Sequence, residues 1–217
     1  VTERESALTD IKEMLLAIKD ELLESRLVHT VTPMTMGRTG YLKGLVAASQ
    51  DATIKIEPNL VIRGTVHPPR RLDLRQSAVD LFERGVEMQV LSHADLYGGK
   101  ICAALDRQHP RDLFDIGLLL QAEGFSQEIR KAFIVYLISH DRPIVELLDP
   151  NMRELKDVFD HEFQGMTRIP VTLEELVSVR EELVKLICRT LTDDERRFIL
   201  SIKQGGPKWE LLGLEGI

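Results

Sequence analysis

The sequence is poor in cysteine and in long apolar runs, and each shortage excludes a class of protein. Cysteine occurs twice in 217 residues, and Cys102 and Cys188 lack the C-x-x-C or Cys/His spacing of a zinc site. We therefore expect reduced thiols in a cytoplasmic protein rather than a disulfide. No apolar run approaches the roughly 18–20 residues of a membrane span, and no secretory signal opens the chain.

Positive charge is also scarce, with 28 Lys and Arg against 35 Asp and Glu and a formal net charge of −7. This balance argues against broad coating of nucleic acid. One stretch is nevertheless basic, and its arginines are Arg63, Arg70, Arg71, Arg75 and Arg84. They alternate with acidic residues, which favours a salt-bridged surface. RNA contact through this patch is the alternative.

The first half of the chain mixes helical and strand patterns. An apolar stripe predicts an amphipathic helix over residues 2–26. Residues 41–48 and 53–63 read as strands, and the turn signal between them makes an antiparallel hairpin plausible. Breakers such as Pro33 indicate an irregular connection over residues 27–40. Residues 65–71 read as an extended connector, 72–84 as partly helical and 86–91 as a short strand.

After Gly124 the pattern becomes helical. Helices are predicted over residues 128–139 and 152–163, and two capping boxes open further helices at Thr172 and Thr192. The last helix is expected to stop at Gly205. The apolar tail around Trp209 is expected to dock on the body of the protein, and docking onto a partner is the alternative.

The most informative stretch is residues 92–120. An amphipathic helix is predicted over residues 94–106, and Gly98 and Gly99 lie inside it, immediately before Lys100. Each glycine costs roughly 0.8–1 kcal/mol relative to alanine in a helix interior. The pair therefore indicates that another backbone, or a ligand, approaches this turn closely.

Charged residues around these glycines are spaced for a phosphate site. Lys100 and Arg107 are seven residues apart and share one helix face. Pro110 then opens a second helix, with acidic residues in or near its first turn. A cationic face beside the Arg111–Asp112 corner suits a phosphate-bearing ligand. The alternative is a solvated cationic face and an ordinary i,i+4 pair between Arg111 and Asp115.

The run K-x-x-A-L-x-x-R-x-x-x-R-D-x-x-D resembles a signature of the AbiEii/AbiGii-type nucleotidyltransferase toxin family. Its members here are Lys100, Ala104 (with Ala103, one place off the usual spacing), Leu105, Arg107, Arg111, Asp112 and Asp115. Residues 53–59 look like the strand that carries the family's third active-site carboxylate, which would be Glu57. The resemblance covers about residues 1–125.

The resemblance implies transfer of a nucleotidyl group from a nucleoside triphosphate to a tRNA end or a protein hydroxyl. It implies the setting of a type IV toxin–antitoxin or abortive-infection system with a cognate antitoxin. The implied catalytic residues are Glu57, Lys100 and Asp112, and the implied nucleotide-binding residues are Lys100, Arg107, Arg111 and Asp115. Asp112 and Asp115 would orient the cations. Glu57 and Lys100 are expected to converge on one cleft.

The sequence also departs from the family pattern. The family carries an N-terminal Gly-Ser or Gly-Gly motif and an Asp-x-Asp pair that holds the divalent metal, and this chain has neither. Glu57 is then an incomplete metal site, because Mg²⁺ is normally bound through one or two carboxylates plus substrate phosphates. We expect a fragment or a natural relative with little activity alone. A non-catalytic binding or antitoxin-interacting module is the alternative.

These patterns predict an α/β plus α architecture. A partial nucleotidyltransferase-like mixed sheet with flanking helices is expected over residues 1–91. A helical C-terminal bundle is expected over residues 92–217, with the signature helix bridging the two. A homodimer could cover sheet edges left exposed by missing strands.

Overall fold

A computed structural model of the protein describes residues 4–37, 40–58 and 64–214. The chain forms two compact units, Val1–Gly64 and Thr65–Ile217. It combines helices with small antiparallel sheets. The mixture of helices and strands in the predicted α/β plus α class is thus confirmed. The predicted division into two domains near residue 91 stays a prediction, because a compact unit defined by contacts is not the same thing as an evolutionary domain.

The first unit packs one helix against a three-stranded antiparallel sheet. Its elements are α1 (Arg4–Glu24), β1 (Thr30–Met36), β2 (Tyr41–Ala48) and β3 (Thr53–Ile56), and the strand order is β1-β2-β3. Leu15 of α1 is buried with Leu42 and Leu45 of β2. The opening helix and the β2–β3 hairpin are thus confirmed. Strand β3 ends at Ile56, so the prediction that the strand extends through Glu57 and Pro58 is wrong. The rest of the predicted strand, residues 59–63 with Arg63, lies outside the described residues.

The irregular connection predicted over residues 27–40 is wrong, because β1 occupies half of it. Pro33 lies inside this strand, opposite Leu45. A proline cannot donate to a ladder, but β1 is an edge strand, and edge strands tolerate a residue without an N–H group. The proline therefore marks the edge of the sheet and not a break between elements.

A bulge in β2 changes the direction of one lysine. Met34 of β1 pairs with Gly44, and Thr35 pairs with Leu42, so Lys43 is the extra residue. Such a bulge bends the strand and redirects side chains. Gly44 beside it has no room for a side chain, since an added Cβ would collide with the carbonyl oxygen of Ile56 and approach Glu57 Cγ to 3.0 Å.

The second unit begins with a small two-stranded sheet. Strands β4 (Arg70–Asp73) and β5 (Glu87–Val90) pair antiparallel, and α2 (Gln76–Phe82) lies between them in sequence. The strand predicted at 86–91 and the helix within 72–84 are confirmed. The predicted mixed sheet is wrong for the described residues, whose strands all pair antiparallel. The residues that join β2 to β3 are too few for the crossover that parallel strands need.

The rest of the second unit is helical, as predicted. Its elements are α3 (His93–Arg107), α4 (Pro110–Ala122), α5 (Gln127–Ile138), α6 (Ile144–Leu148), α7 (Lys156–Val158) with a π-helical turn over Phe159–Phe163, α8 (Leu173–Thr190), α9 (Asp193–Lys203) and a 3-10 helix over Trp209–Leu212. No helix of the described residues is both long and apolar enough to cross a membrane.

The sequence signals of the C-terminal helices are confirmed in detail. Both capping boxes form, at Thr172 with Glu175 and at Thr192 with Glu195. The tail docks on the body of its own unit, where the Trp209 ring lies 5.1 Å from the ring of Phe198.

The helix predicted over residues 152–163 starts late, at Lys156. The backbone before it is held by side chains from elsewhere in the unit. The Arg153 N–H donates to Gln108 Oε1 at 3.0 Å, and the Arg153 carbonyl accepts from Arg180 at 2.7 Å. These bonds fix the segment outside the helical ladder.

The glycine pair of α3 separates into two different roles. A Cβ on Gly98 would lie 2.8 Å from the backbone nitrogen of Phe133 and 3.0 Å from the carbonyl carbon of Ala132, whereas a Cβ on Gly99 would meet nothing within 4 Å. The close approach of another backbone, that of α5, is therefore confirmed at Gly98. Gly99 faces open space.

Asp95 fixes the start of α3 and the segment before it. It is 1% exposed and accepts hydrogen bonds from the N–H groups of Val66 and His67 and from the hydroxyls of Ser92 and Tyr136, at 2.6–2.9 Å. Burial on its own would raise the pKa of Asp95, but these four hydrogen bonds together hold the pKa below its usual value. The carboxylate is thus the anchor of residues 65–67.

We expect Gly98→Ala to lower the free energy of unfolding by about 1–3 kcal/mol, because an extra methyl group in a tight interface forces backbone shifts. The matched variant Gly99→Ala should raise it by up to about 1 kcal/mol, because alanine is the better helix former. Urea denaturation measures both. Equal effects of the two substitutions would contradict the close approach of α5.

Asp95→Asn is expected to lower stability at neutral pH by about 1–3 kcal/mol, because an amide cannot accept the same four hydrogen bonds. A lowered pKa in the folded state adds stability above the unfolded-state value of 3.8, which is lost as the pH falls through the folded-state value. The wild type should therefore lose stability below about pH 4 more steeply than Asp95→Asn. Urea unfolding at several pH values tests this, with Asp193→Asn in the first turn of α9 as control; parallel pH profiles would contradict it.

Candidate functional site

The signature motif occupies a tight turn between two helices. Helix α3 ends at Arg107 and is capped by Gln108, which adopts a left-handed conformation with φ of 52°. His109 caps α4, and its Nδ1 accepts the N–H of Arg111 at 3.1 Å. Pro110 occupies the first helical position, where its missing N–H costs no hydrogen bond. The turn brings the face of α3 that carries Lys100 beside the first turns of α4.

Two ion pairs link these helices and use four signature residues. Lys100 Nζ lies 2.5 Å from Asp115 Oδ2, and Arg107 Nη2 lies 2.7 Å from Asp112 Oδ1. The cations are seven residues apart and the carboxylates three, so both pairs run between one face of α3 and one face of α4. The motif spacing thus has a structural cause, because it matches the register of the two helices.

Asp112 is the more buried of the two carboxylates. Its side chain is 10% exposed, against 33% for Asp115. Oδ1 accepts from Arg107, while Oδ2 is buried without a hydrogen-bond partner among the described residues. Its place in the first turn of α4 favours the negative charge, because the N-terminal end of a helix carries partial positive charge.

Arg111 differs from the other cations of the motif. It is exposed, and among the described residues its guanidinium forms no ion pair. The i,i+4 pair between Arg111 and Asp115, considered as the simpler interpretation, is wrong because Lys100 takes that carboxylate. Arg111 therefore presents an unneutralised charge to solvent beside the Arg107–Asp112 pair.

Glu57, in the first unit, is held by two lysines. Lys55 lies 2.8 Å and Lys43 3.4 Å from its carboxylate oxygens. Glu57 comes directly after the end of β3, two residues beyond Lys55, and the bulge in β2 brings Lys43 within reach of it. The hydrogen bond from Lys55, with a smaller contribution from Lys43, lowers the pKa of Glu57 despite some desolvation.

The described residues do not by themselves form a magnesium site. Across residues 4–37, 40–58 and 64–214, no group of three or more His, Cys, Asp or Glu side chains is arranged to hold a metal ion. The Glu57 carboxylate is already matched by two ammonium groups, and Mg²⁺ demands near-octahedral oxygen ligands. The incomplete metal site at Glu57 and the Mg²⁺ implied by the resemblance stay predictions, as does a shared cleft for Glu57 and Lys100.

Several residues around these groups escaped the sequence analysis. Lys43 and Lys55, which pair with Glu57, looked like ordinary charged strand residues. A signal for Asp95 was present, because Ser92-x-x-Asp95 has the spacing of a capping motif. Ser92 does cap α3, and its Oγ accepts the Asp95 N–H at 3.0 Å.

Comparison with known proteins extends the similarity beyond the motif region. The family model described as nucleotidyl transferase AbiEii toxin, type IV TA system, matches residues 1–212. A search of curated proteins gives no match, and a search of solved structures gives none either. Since the family match spans nearly the whole chain, this protein belongs to the AbiEii nucleotidyl transferase toxin family of type IV toxin–antitoxin systems.

Proposed function

We propose that this toxin-family protein binds the polyphosphate of a nucleoside triphosphate at the face shared by α3 and α4, as one part of nucleotidyl transfer to an RNA or protein acceptor. The observation that carries the proposal is the pair of ion pairs between the helices. They hold Lys100 and Arg107 in place beside the unpaired Arg111. Three cations are thereby gathered on one helix pair.

The chemistry of each cation suits this role. An ammonium group has three donors, and Lys100 gives one to Asp115, so donors remain for phosphate oxygens. Arg107 and Arg111 offer planar guanidinium groups, which match phosphate geometry. Nucleotidyl transfer depends largely on positioning and electrostatic stabilisation of charged oxygens. In the proposal, Asp115 and Asp112 keep the cations oriented before the ligand arrives.

The acceptor is proposed to be a tRNA end or a protein hydroxyl, as the resemblance implies, in the cytoplasm and with a cognate antitoxin controlling the activity. Glu57 is the proposed metal-side or base carboxylate. A bound Mg²⁺ would neutralise phosphate charge, although the described residues do not form a complete site for it. A homodimer is proposed only as a way to cover exposed edges of the sheets.

A non-catalytic role is the second candidate, and one observation favours it. Glu57 is engaged by two lysines, which is the arrangement of a structural carboxylate and not of a free metal ligand. In this alternative the chain is a degenerate nucleotidyltransferase fold that binds a nucleotide or an antitoxin without transferring anything. The two candidates share the α3–α4 site and differ in turnover.

Lys100→Ala is expected to weaken binding of a nucleoside triphosphate by about tenfold or more, because charge-assisted hydrogen bonds contribute about 1.5–3 kcal/mol each. Titration with a fluorescent triphosphate measures the dissociation constant. Lys185→Ala, an exposed helical lysine paired with Glu181, is the matched control and should bind normally. Unchanged binding by Lys100→Ala would rule out its role.

Detection of turnover would decide between the two candidate functions in favour of catalysis. We expect binding with little or no transfer when the chain is incubated with Mg²⁺, labelled nucleoside triphosphates and total RNA, since Glu57 is a poor magnesium site on its own. Label in RNA or in the protein, lost in Lys100→Ala, would instead establish catalysis and exclude the non-catalytic role. Gel electrophoresis before and after nuclease or protease treatment identifies the acceptor.

A further inference from the structure

A polar cavity of about 260 Å³ lies within the second unit, and the proposed nucleotide site does not use it. Its lining includes His67, Pro68, Arg70, His93 and Glu128. These residues come from the segment before β4, from β4 itself, and from the first turns of α3 and α5. The volume falls just below the roughly 300–1,000 Å³ of pockets for drug-sized ligands, so it suits a single heterocycle.

The cavity is built on a fixed frame. The buried carboxylate of Asp95 holds the N–H groups of Val66 and His67, and the Tyr136 hydroxyl holds that carboxylate from α5. The wall that carries His67 is thus tied to both helices that complete the cavity. A site with this support is formed before its ligand binds.

The hydrogen-bonding groups of the lining are partly unused. His67 Nε2 is buried and has no hydrogen-bond partner among the described residues. Arg70 and Glu128 form no ion pair within that part of the chain. Buried polar groups are normally hydrogen-bonded, so the imidazole of His67 has an unmet hydrogen bond. The side chains of Arg70 and Glu128 are exposed, and their hydrogen-bonding groups are accessible to a ligand.

The mixture of charges selects the kind of ligand. Glu128 in the lining repels a phosphate, and a second carboxylate, Glu123, lies 3.4 Å from His93 Nε2. The described residues contain no cluster suited to a metal ion. One guanidinium, one carboxylate and two imidazoles together suit a neutral ring that carries both donors and acceptors.

Guanine is the base that best satisfies this set. Its O6 and N7 accept from an arginine in the commonest specific contact of nucleic-acid recognition. Its N1–H and N2–H groups donate to a carboxylate. His93 lines the cavity, and aromatic side chains, histidine among them, give unstacked RNA bases a surface to stack on.

We propose that this cavity binds an unstacked guanine of single-stranded RNA, with Arg70 and Glu128 reading its edges. The proposal deepens the proposed function by naming the acceptor as RNA, and it rests on that function to this extent. Arg75 and Arg84, exposed and without ion pairs among the described residues, follow Arg70 closely in sequence and are available for backbone phosphates.

The test is binding of short labelled oligonucleotides in the absence of nucleoside triphosphates. We expect oligouridine with one central guanine to bind about tenfold more tightly than the same strand with adenine, as one well-made edge contact discriminates. Glu128→Gln and Arg70→Ala should each abolish the preference. Glu174→Gln, which changes the second residue of α8 as Glu128→Gln changes the second residue of α5, should retain it.

Each other outcome overturns the proposal. Equal affinity for the two strands means that the cavity does not read guanine, and competition by inorganic phosphate alone means that it is an anion site. A guanine preference that survives both cavity variants places recognition elsewhere. Lys100→Ala separates this proposal from the nucleotide site, because it should weaken triphosphate binding while leaving the guanine preference intact.

Discussion

The close approach of α5 to the backbone of α3 at Gly98 is the constraint on which the second unit depends. A side chain at this position would press on the backbone of Ala132 and Phe133, so the helices meet at a separation that only glycine permits. The neighbouring core residues Ile101, Leu105 and Phe133 are fully or almost fully buried as a result. With α3 fixed from that side, the opposite face is free to carry Lys100 and Arg107 toward α4.

The signature motif places opposite charges on two facing helices. Asp115 and Asp112 hold Lys100 and Arg107 across the helix pair, so two of the three cations of the motif are fixed in position. A motif of alternating charge can therefore pair between two helices and need not be a solvated surface. The sequence pattern alone does not reveal the role of these residues, because an ion pair that orders a cation and one that only stabilises a helix pair have the same spacing.

Local signals in the sequence predicted most elements of the fold. Both capping boxes, the stop at Gly205 and the start at Pro110 lie where backbone chemistry places them, because each depends on neighbouring residues alone. Strand β1 was missed because Pro33 reads as a breaker unless the strand is known to lie at an edge. The lysines around Glu57 were missed because their meeting depends on a bulge and on strand pairing. The pairing of Lys100 with Asp115 rather than Arg111 with Asp115 depends on the helix turn, which local spacing does not determine.

The backbone and the side chain of Gln108 favour different residue types at the same position. Its backbone adopts a left-handed conformation that favours glycine, yet its amide joins Asn151, Arg153 and Arg180 through donor and acceptor at once. Glycine would relax the main chain but remove one of the two acceptors of the buried Arg180 guanidinium, while a bulkier side chain would keep the strain without replacing the amide. Few residues can therefore replace Gln108 at the turn that carries the motif, because its amide also links that turn to the segment at residues 151–153 and to α8.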